Sequence, residues 1–427
     1  MNSFKFDIVA RLDGGLGRAG IITTPHGPIE TPAFVVVGTH AAVKFLDAAQ
    51  LRATGAQVML SNGYHLLRRA VMIDAAGGLA EFNGWRGPTM TDSGGFQVMS
   101  LGSGLGKIVS MDKKDEALAE RAARKTERLA LVDDDGVEFR DPFSSRIVKF
   151  TPEMSVRAQQ QIGADIMMAF DELTNISDSY DYNVAALERT RLWAERSLRE
   201  HVRQTNLRAG KNYQALFGVL QGAHYKDLRE KAARDLAAMS VDGREFDGFG
   251  LGGAFEKENL GEIVAWMTRI LPEEKPRHLL GLARPDDIFA GVENGADTFD
   301  CVAPTREARH GRIYTARGNF NLRRAEFAND DAPLDATCDC ATCKITDEND
   351  KNFAQPTVDI GSRKTFYSRQ TLRAMLKNPD RAVRAQAFTL LSQHNVRFII
   401  RLMENIRAAI ITGNYAEFKR DFIAKYY

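Results

Sequence analysis

Short apolar segments alternate with amphipathic segments along most of the chain. This alternation is typical of βα units, in which strands join a parallel sheet and helices cover it. Eight apolar segments favour an α/β fold of the closed (β/α)₈ type, a TIM barrel, over a doubly wound open sheet. The predicted strands lie at 34–37, 58–60, 89–91, 165–170, 215–220, 246–251, 278–282 and 298–302, and the clearest helical patterns at 183–204, 226–239, 259–271 and 285–294.

Polar and glycine residues follow most of these predicted strands. Asp92, Asp171, Gln221, Gly253 and Asp300 each stand at or just past the end of one. Active sites of such barrels are built where the strands end, so we expect these residues to converge on one face.

Two of these residues, Asp92 and Asp300, are candidates for a double displacement at an anomeric carbon. One carboxylate would attack as nucleophile while the other shuttles a proton. The alternative is that each caps a helix or lies in a buried ion pair. Gly94 and Gly95 favour the functional interpretation, because backbone without side chains lets a planar ligand approach N–H groups closely.

Other strand-end groups have the chemistry to recognise a purine-like base. Asp171 offers an acceptor, Gln221 both a donor and an acceptor, and the backbone at 252–253 a further hydrogen-bonding edge. Phe96 is placed to stack on such a ligand. None of these features is specific when taken alone.

Basic residues are concentrated after Asp300, although the 427-residue chain has a net charge of only +1. Arginine binds phosphate oxygens in a bidentate manner, so this stretch is a candidate nucleic-acid surface. The alternative is an ordinary solvated basic loop. The arginines are Arg306, Arg309, Arg312, Arg317, Arg323 and Arg324, opposed only by Glu307 and Glu326.

Cys338, Cys340 and Cys343 fall within six residues, which is a strong signal for a metal. Tetrahedral Zn²⁺ needs a fourth ligand, and His394, at the start of the helical pattern over 396–411, is the best candidate. On spacing alone His394 is a weaker candidate, because a lone histidine is more often an ordinary core or surface residue. A closed Cys₃His site would hold one structural Zn²⁺ and stabilise a subdomain.

Other classes of protein are disfavoured. The start of the chain has no apolar signal region and no segment approaches the length of a membrane span, which indicates a soluble cytoplasmic protein. No glycine pattern matches a Walker loop, and 102–106 does not open a convincing dinucleotide fold, so a redox cofactor is not expected.

Six motifs together resemble the tRNA-guanine transglycosylases, from about residue 4 to the C-terminus. The most specific are Thr-Asp-Ser-Gly-Gly-Phe-Gln at 91–97 and Phe-Asp-Cys-Val at 299–302 with Pro-Thr-Arg at 304–306. The others are Ala-Phe-Asp-Glu at 169–172, Phe-Gly-Val-Leu-Gln-Gly at 217–222, the cysteine cluster at 338–343, and His-Asn at 394–395.

The resemblance implies a pentosyltransferase of the queuosine pathway, with a barrel domain over 1–325 and a zinc subdomain with closing helices over 326–427. Such enzymes exchange the wobble guanine of tRNAs with GUN anticodons (Asp, Asn, His, Tyr) for a 7-deazaguanine base. Asp300 is then the nucleophile and Asp92 the proton acceptor. His394 becomes the fourth zinc ligand, and a homodimer is expected.

The resemblance also assigns binding residues. The base is expected to contact Asp92, Ser93, Gly94, Gly95, Asp171, Gln221 and Gly253, between Phe96 and Leu280. The anticodon loop is expected to contact Gly281, Leu282, Ala283, Arg284, Pro285, Asp286, Asp287, Thr305, Arg306, Glu307, Ala308 and Arg309.

The chain departs from the family pattern in several places. Gly-Gly-Ala-Phe-Glu-Lys-Glu at 252–258 replaces Gly-Gly-Leu-Ala-Val-Gly-Glu, which leaves the choice between 7-aminomethyl-7-deazaguanine and queuine open. Ala223 and Ala283 replace glycines and could shift the local backbone. A charged, helix-prone insertion lies at 111–130, and 344–364 is predicted to be a surface loop.

Two other classes of function stay open at this point. One is a non-catalytic partner subunit that binds RNA, against which the retention of both acids argues. The other is a related enzyme that acts on DNA or on another glycoside. The helical region after Pro379 could support a dimer or pack internally.

Overall fold

The computed structural model describes residues 4–97, 130–141, 145–208, 210–253, 257–344 and 366–427. The strands, in chain order, are β1 Lys5–Arg11, β2 Arg18–Thr24, β3 Gly27–Thr31, β4 Ala33–Val37, β5 Val58–Ser61, β6 Thr89–Thr91, β7 Ala130–Asp133, β8 Gly136–Arg140, β9 Ile147–Phe150, β10 Ile166–Met168, β11 Ala215–Leu220, β12 Gly248–Leu251, β13 Arg277–Leu279, β14 Thr298–Cys301, β15 Arg312–Thr315 and β16 Gly318–Asn321.

The α-helices follow the same order. They are α1 Ala48–Arg52, α2 Gly63–Leu66, α3 Ala70–Ala75, α4 Leu79–Phe82, α5 Pro152–Ile162, α6 Tyr180–Leu207, α7 Lys226–Ala237, α8 Leu260–Thr268, α9 Pro285–Glu293, α10 Ala303–Arg309, α11 Arg369–Lys377, α12 Arg381–Thr412 and α13 Tyr415–Tyr426. Short 3₁₀ turns occur at Leu67–Arg69, Lys257–Asn259 and Ala325–Asn329.

Eight parallel strands close into a barrel in the order β4-β5-β6-β10-β11-β12-β13-β14 and back to β4. Each corresponds to one of the eight predicted apolar segments, so the predicted (β/α)₈ fold is confirmed. The strands are apolar on both faces because one face fills the barrel and the other meets helices. On β4, for example, Val35 packs in the interior cluster while Phe34 and Val36 pack in the outer one.

Three small antiparallel sheets were not predicted. β1, β2 and β3 form one, β7, β8 and β9 a second, and β15 with β16 a hairpin. Phe6, Ile22 and Ile29 of the first sheet join the interior cluster together with Ala33 and Ala215, the first residues of β4 and β11. This sheet therefore covers the N-terminal end of the barrel and leaves the other end for a site.

Helix α12 begins earlier than predicted. The helical pattern was expected to start at His394, but the helix starts at Arg381, where the Asp380 side chain accepts a hydrogen bond from Ala382 N at 2.8 Å. Val383, Ala387 and Leu390 extend its apolar face at helical spacing and pack in a second core cluster. His394 therefore lies in the middle of a helix, and α12 packs internally.

The second core cluster surrounds the cysteines. It unites them with Leu372 of α11 and Leu390 of α12, and also with Ile313 and Leu322, which precede residue 325. The domain boundary between 325 and 326 stays a prediction.

Two predicted features fall mostly outside the described residues. Of the insertion at 111–130 only Ala130 is described, as the first residue of β7, and of the loop at 344–364 only Lys344. Among the described residues, no helix is long and apolar enough to cross a membrane.

Candidate active site and metal centre

Asp92 follows β6 and is held by three donors. Asn62 Nδ2 donates to its Oδ2 at 2.6 Å, and the N–H groups of Gly63 and Gly94 donate to its Oδ1 at 2.9 and 3.1 Å. These bonds favour the carboxylate, but burial outweighs them and, together with the negative charge of Asp300, raises the pKa of Asp92 to about 7. Asp92 can therefore both give and take a proton near neutral pH.

Asp300 lies on β14 and is largely enclosed, with 14% of its side chain exposed. The N–H of Gly281 donates to Oδ1 at 2.9 Å, and His278 Nε2 lies 3.3 Å from the same oxygen. Among the described residues, Oδ2 has no such contact. The carboxylate is thus held through one oxygen and offers the other to a ligand.

Asp171, Ser93 and Gln221 form one hydrogen-bonded group. Gln221 Nε2 donates to Asp171 Oδ2 at 2.6 Å, and Ser93 Oγ donates to Asp171 Oδ1 at 3.2 Å. Burial raises the pKa of Asp171 to about 6 despite these bonds. Gln221 Oε1 is buried without a hydrogen-bond partner among the described residues, so it is available to a ligand donor.

Glycines are required beside this group. Gly94 has a φ of +79°, and a Cβ there would lie 3.0 Å from Tyr64. Gly253 has a φ of +102°, and a Cβ there would lie 2.9 Å from Gln221 Oε1. Both positions therefore need glycine for backbone conformation and for space.

The two residues expected to sandwich a base differ in exposure. Phe96 is 40% exposed, while Leu280 is half-buried and lies against Gly250 of β12, where a Cβ would meet its Cδ1 at 3.3 Å. The exposed ring of Phe96 lies four residues after Asp92 in the chain and is available to cover a planar ligand.

The residues expected to contact RNA divide by exposure. Their exposed or partly exposed members offer side chains to a ligand, whereas the buried ones can contribute only through the backbone they hold. Exposed or partly exposed are Gly281, Arg284, Asp286, Arg306, Glu307 and Arg309; buried are Leu282, Ala283, Pro285, Asp287, Thr305 and Ala308.

Arg306 and Arg309 lie one helical turn apart on α10, directly after Asp300. Neither has an ion pair within the part of the chain that the structure describes, and Arg309 Nη1 is buried without a hydrogen-bond partner there. Burial lowers the pKa of Arg309, and the positive charge of Arg306 lowers it further. The two guanidinium groups are therefore close. Two neighbouring unpaired guanidinium groups favour an anionic ligand.

Cys338, Cys340, Cys343 and His394 converge. Their ligand atoms all lie within 4.8 Å of one another, with His394 Nδ1 3.5 Å from Cys340 Sγ and 3.3 Å from Cys343 Sγ. The two N···S separations match the edges of a tetrahedron around Zn²⁺, which are about 3.5 Å for metal–ligand bonds of about 2.0 to 2.3 Å. The four side chains fit a metal ion.

Neighbours fix the orientation of this histidine. His394 Nε2 lies 2.8 Å from the carbonyl oxygen of Tyr314, to which it donates, so Nδ1 carries the lone pair that faces the thiols. The adjacent Asn395 accepts from Tyr314 N at 3.1 Å and donates to the carbonyls of Pro304 and Arg312 at 3.1 and 2.9 Å. The metal centre is thereby connected to α10 and β15.

Ala223 and Ala283, which stand where the family pattern has glycine, differ in backbone conformation. Ala223 keeps a left-handed backbone, with φ at +47°, even though it carries a side chain. Ala283 is buried and is not among the described residues with positive φ, so alanine fits there without strain. The altered residues at 254–256 lie outside the described part of the chain.

Two contacting residues were not assigned by the sequence. Asn62 stands at the end of β5 and shared the polar strand-end signal, but nothing in the sequence paired it with Asp92. His278 is a single histidine within an apolar segment, and its approach to Asp300 depends on the register of β13 against β14.

Known proteins are similar to this chain along nearly its whole length. The family model described as queuine tRNA-ribosyltransferase matches residues 13–427. Queuine tRNA-ribosyltransferases from Desulforamulus reducens and Caldanaerobacter subterraneus subsp. tengcongensis are 39% and 38% identical, covering 95% and 100% of this chain and 94% and 99% of their own. The chain therefore belongs to the queuine tRNA-ribosyltransferase family. The family and the pentosyltransferase class expected from the motifs are confirmed.

Proposed function

We propose that the chain exchanges the wobble guanine of tRNAs with GUN anticodons for a 7-deazaguanine base, either 7-aminomethyl-7-deazaguanine or queuine. The observation that carries this proposal is the pair of strand-end carboxylates. Asp300 presents one unoccupied oxygen, and Asp92 has a pKa of about 7 that is raised in part by the charge of Asp300. Membership of the family supports tRNA as the substrate.

Two displacements at the ribose C1′ account for the exchange. The wobble nucleotide leaves its stack, Asp300 attacks C1′, and the bond from C1′ to N9 of guanine breaks. Asp92, protonated at the start, gives its proton to the departing guanine. The incoming base then gives its N9 proton to Asp92 and displaces Asp300 from C1′, so two inversions retain the configuration.

Asp171, Ser93 and Gln221 are proposed to hold the base. Their prearranged hydrogen bonds leave Gln221 Oε1 for a donor on the purine-like edge, while Gly253 gives the ligand room to approach. Phe96 and Leu280 are proposed to cover its two faces. Holding both bases in one place lowers the entropic cost of each displacement.

The anticodon loop is proposed to lie over α10 and the start of α9. Arg306, Arg309 and Arg284 would contact its phosphates, whereas base selection would come from unstacked nucleotides. The buried neighbours Leu282 and Thr305 would hold the backbone beneath. Phosphate contacts position the RNA. Their loss should therefore weaken tRNA binding more than it slows the displacement steps.

Zn²⁺ is the metal we propose for the Cys₃His centre. A thiolate-rich set with one imidazole, closed to further ligands, is typical of structural zinc. The ion would stabilise the region at 326–427, proposed as a subdomain, and hold α10 through Asn395. We also propose that the chain forms a homodimer. A tRNA substrate supports a location in the cytoplasm, which we propose as well.

The test is exchange of radiolabelled guanine into a GUN-anticodon tRNA. Without an incoming base, wild type should form a covalent protein–tRNA species that survives denaturing electrophoresis. Asp300→Asn should form none, while Glu326→Gln, which alters an exposed acid, should behave as wild type. Competition with 7-aminomethyl-7-deazaguanine and with queuine then identifies the preferred base.

Other outcomes would support a different function. Folded, zinc-loaded wild type that neither exchanges guanine nor forms the species would contradict the proposal and favour a binding subunit. Reaction with a DNA hairpin of the same sequence but not with tRNA would favour a DNA-modifying enzyme.

A further inference from the structure

A buried histidine lies behind the proposed nucleophile. β13 and β14 pair with His278 opposite Thr298, and Asp300 follows two residues later on the same face of β14. The imidazole is fully buried, with Nδ1 2.9 Å from Thr298 Oγ1 and Nε2 3.3 Å from Asp300 Oδ1. Among the described residues, His278 is the only side chain within hydrogen-bond or ion-pair distance of the Asp300 carboxylate.

The surroundings determine which nitrogen carries the proton. Nε2 lies 3.3 Å from a carboxylate oxygen, which only accepts, and makes no well-aligned hydrogen bond with any described residue, Asp300 included. A lone pair on Nε2 would face the lone pairs of Oδ1, which is unfavourable, whereas an Nε2 proton is attracted to that oxygen, so the proton belongs on Nε2. Nδ1 then accepts from the Thr298 hydroxyl. The 3.3 Å contact is long, as is common before a substrate tightens a site.

Two donors therefore converge on one oxygen of Asp300. The N–H of Gly281 donates to Oδ1 at 2.9 Å, and His278 Nε2 approaches the same atom. We propose that His278 is a positioning residue that holds Oδ1 of Asp300, so that Oδ2 is the atom that attacks the ribose. This inference rests on the proposed function and deepens it.

The chemistry assigns each oxygen one task. A lone pair on Oδ2 forms the bond to C1′ while the C1′–N9 electron pair leaves with guanine, and Oδ1 becomes the carbonyl oxygen of the ester. When the incoming base attacks C1′, the bond to Oδ2 breaks and its electron pair restores the carboxylate. His278 and Gly281 then stabilise the returning negative charge, as donors aimed at developing charge do.

Single-turnover formation of the covalent tRNA species tests the inference. His278→Leu removes the donor, and His278→Gln keeps an N–H group near Oδ1. His201→Gln is the matched control, because His201 is also buried but bonds to Gln160 on α5. Thr298→Val removes the hydroxyl that orients the ring. Zinc content and melting temperature are measured for every variant.

We expect His278→Leu to slow formation of the species by about tenfold to hundredfold, as loss of a hydrogen bond to a charged group implies. The KM for tRNA should stay within about twofold, because the contact is made to the nucleophile and not to RNA. His278→Gln should recover part of the rate, Thr298→Val should show a smaller loss, and His201→Gln should match wild type.

Several results would overturn the inference. His278→Leu reacting at the wild-type rate would do so, as would equal slowing in His278→Leu and His278→Gln together with an equal fall in melting temperature, which indicates a packing role. Failure of the proposed function is distinguishable, because wild type itself would then form no covalent species, and both proposals would fall.

Discussion

Asp92 and Asp300 have the same side chain, and their surroundings give them different roles. Asp92 receives three hydrogen bonds, yet burial and the charge of Asp300 keep its pKa near 7. Esterification of Asp300 would remove that charge and lower the pKa of Asp92. Formation of the proposed intermediate therefore favours transfer of the proton from Asp92 to the departing guanine. The different surroundings of the two side chains make Asp92 the acid and Asp300 the nucleophile.

The two half-reactions should consequently respond to pH in opposite directions. Formation of the covalent species needs protonated Asp92 and should slow as pH rises through about 7. Release by an incoming base needs ionised Asp92 and should slow as pH falls, with a midpoint below that of the first step. Rapid-quench measurements of each step over a pH series provide the check.

Asn62→Ser sharpens this prediction. Serine can still cap α2, where Asn62 accepts from His65 N at 2.8 Å, but it loses the amide donor to Asp92. A weaker bond to the carboxylate raises the pKa of Asp92, so both pH midpoints should move up by about 1 unit. Midpoints that do not move would show that Asp92 is not the group that titrates.

At the scale of elements, strands and helices differ in how far the sequence predicts them. Most of the eight barrel strands were found because they lie in short apolar segments, and α6 to α9 because apolar residues recur at helical spacing. β1 to β3 and β7 to β9 were missed, since short alternating segments gain their stability from neighbours distant in sequence. The start of α12 was missed because its first turns carry several polar residues.

The residues of the candidate site also differ in how far the sequence predicts them. Asp92 and Asp300 were found because they end strands, and strand ends converge in any barrel. The donors to these acids were not found, because Asn62 meets Asp92 and His278 meets Asp300 only through the register of neighbouring strands. Pairings between elements depend on packing that a single sequence does not display.

Asn395 joins three elements, and its loss should be costly. The side chain is fully buried and connects α12 to β15 and to Pro304 of α10. Asn395→Ala would leave several buried backbone groups without partners, and we expect the free energy of unfolding to fall by about 2–4 kcal/mol. Urea denaturation of the zinc-loaded protein measures this loss. Asn405→Ala, on the exposed face of the same helix, is the control and should change it by less than about 0.5 kcal/mol.

Across the whole molecule, the proposed zinc joins two parts of the C-terminal region, the cysteine segment and α12. Cys338, Cys340 and Cys343 come from one short segment and His394 from α12, which also packs against β4. Cys343→Ser should abolish stoichiometric zinc and lower the melting temperature, because binding free energy of a structural metal is folding free energy. Cys301→Ser removes the cysteine outside the cluster and should keep one zinc per chain. Equal metal content in both variants would contradict the assignment.

The distribution of charge over the molecule indicates which residues supply affinity for RNA. With a net charge of +1, the protein has little overall attraction for RNA, so affinity must come from local groups such as Arg306 and Arg309. Each phosphate contact with a single-stranded loop contributes about 0.7 to the slope of log Kd against log salt concentration. Arg306→Ala should reduce that slope by about 0.7 and weaken tRNA binding, while the single-turnover rate at saturating tRNA stays near wild type. Arg234→Ala is the control, because this exposed arginine lies at the end of α7 that faces away from the strand ends. An unchanged slope in Arg306→Ala would remove α10 from the RNA surface, since a guanidinium that neutralises a phosphate must release counterions when it binds.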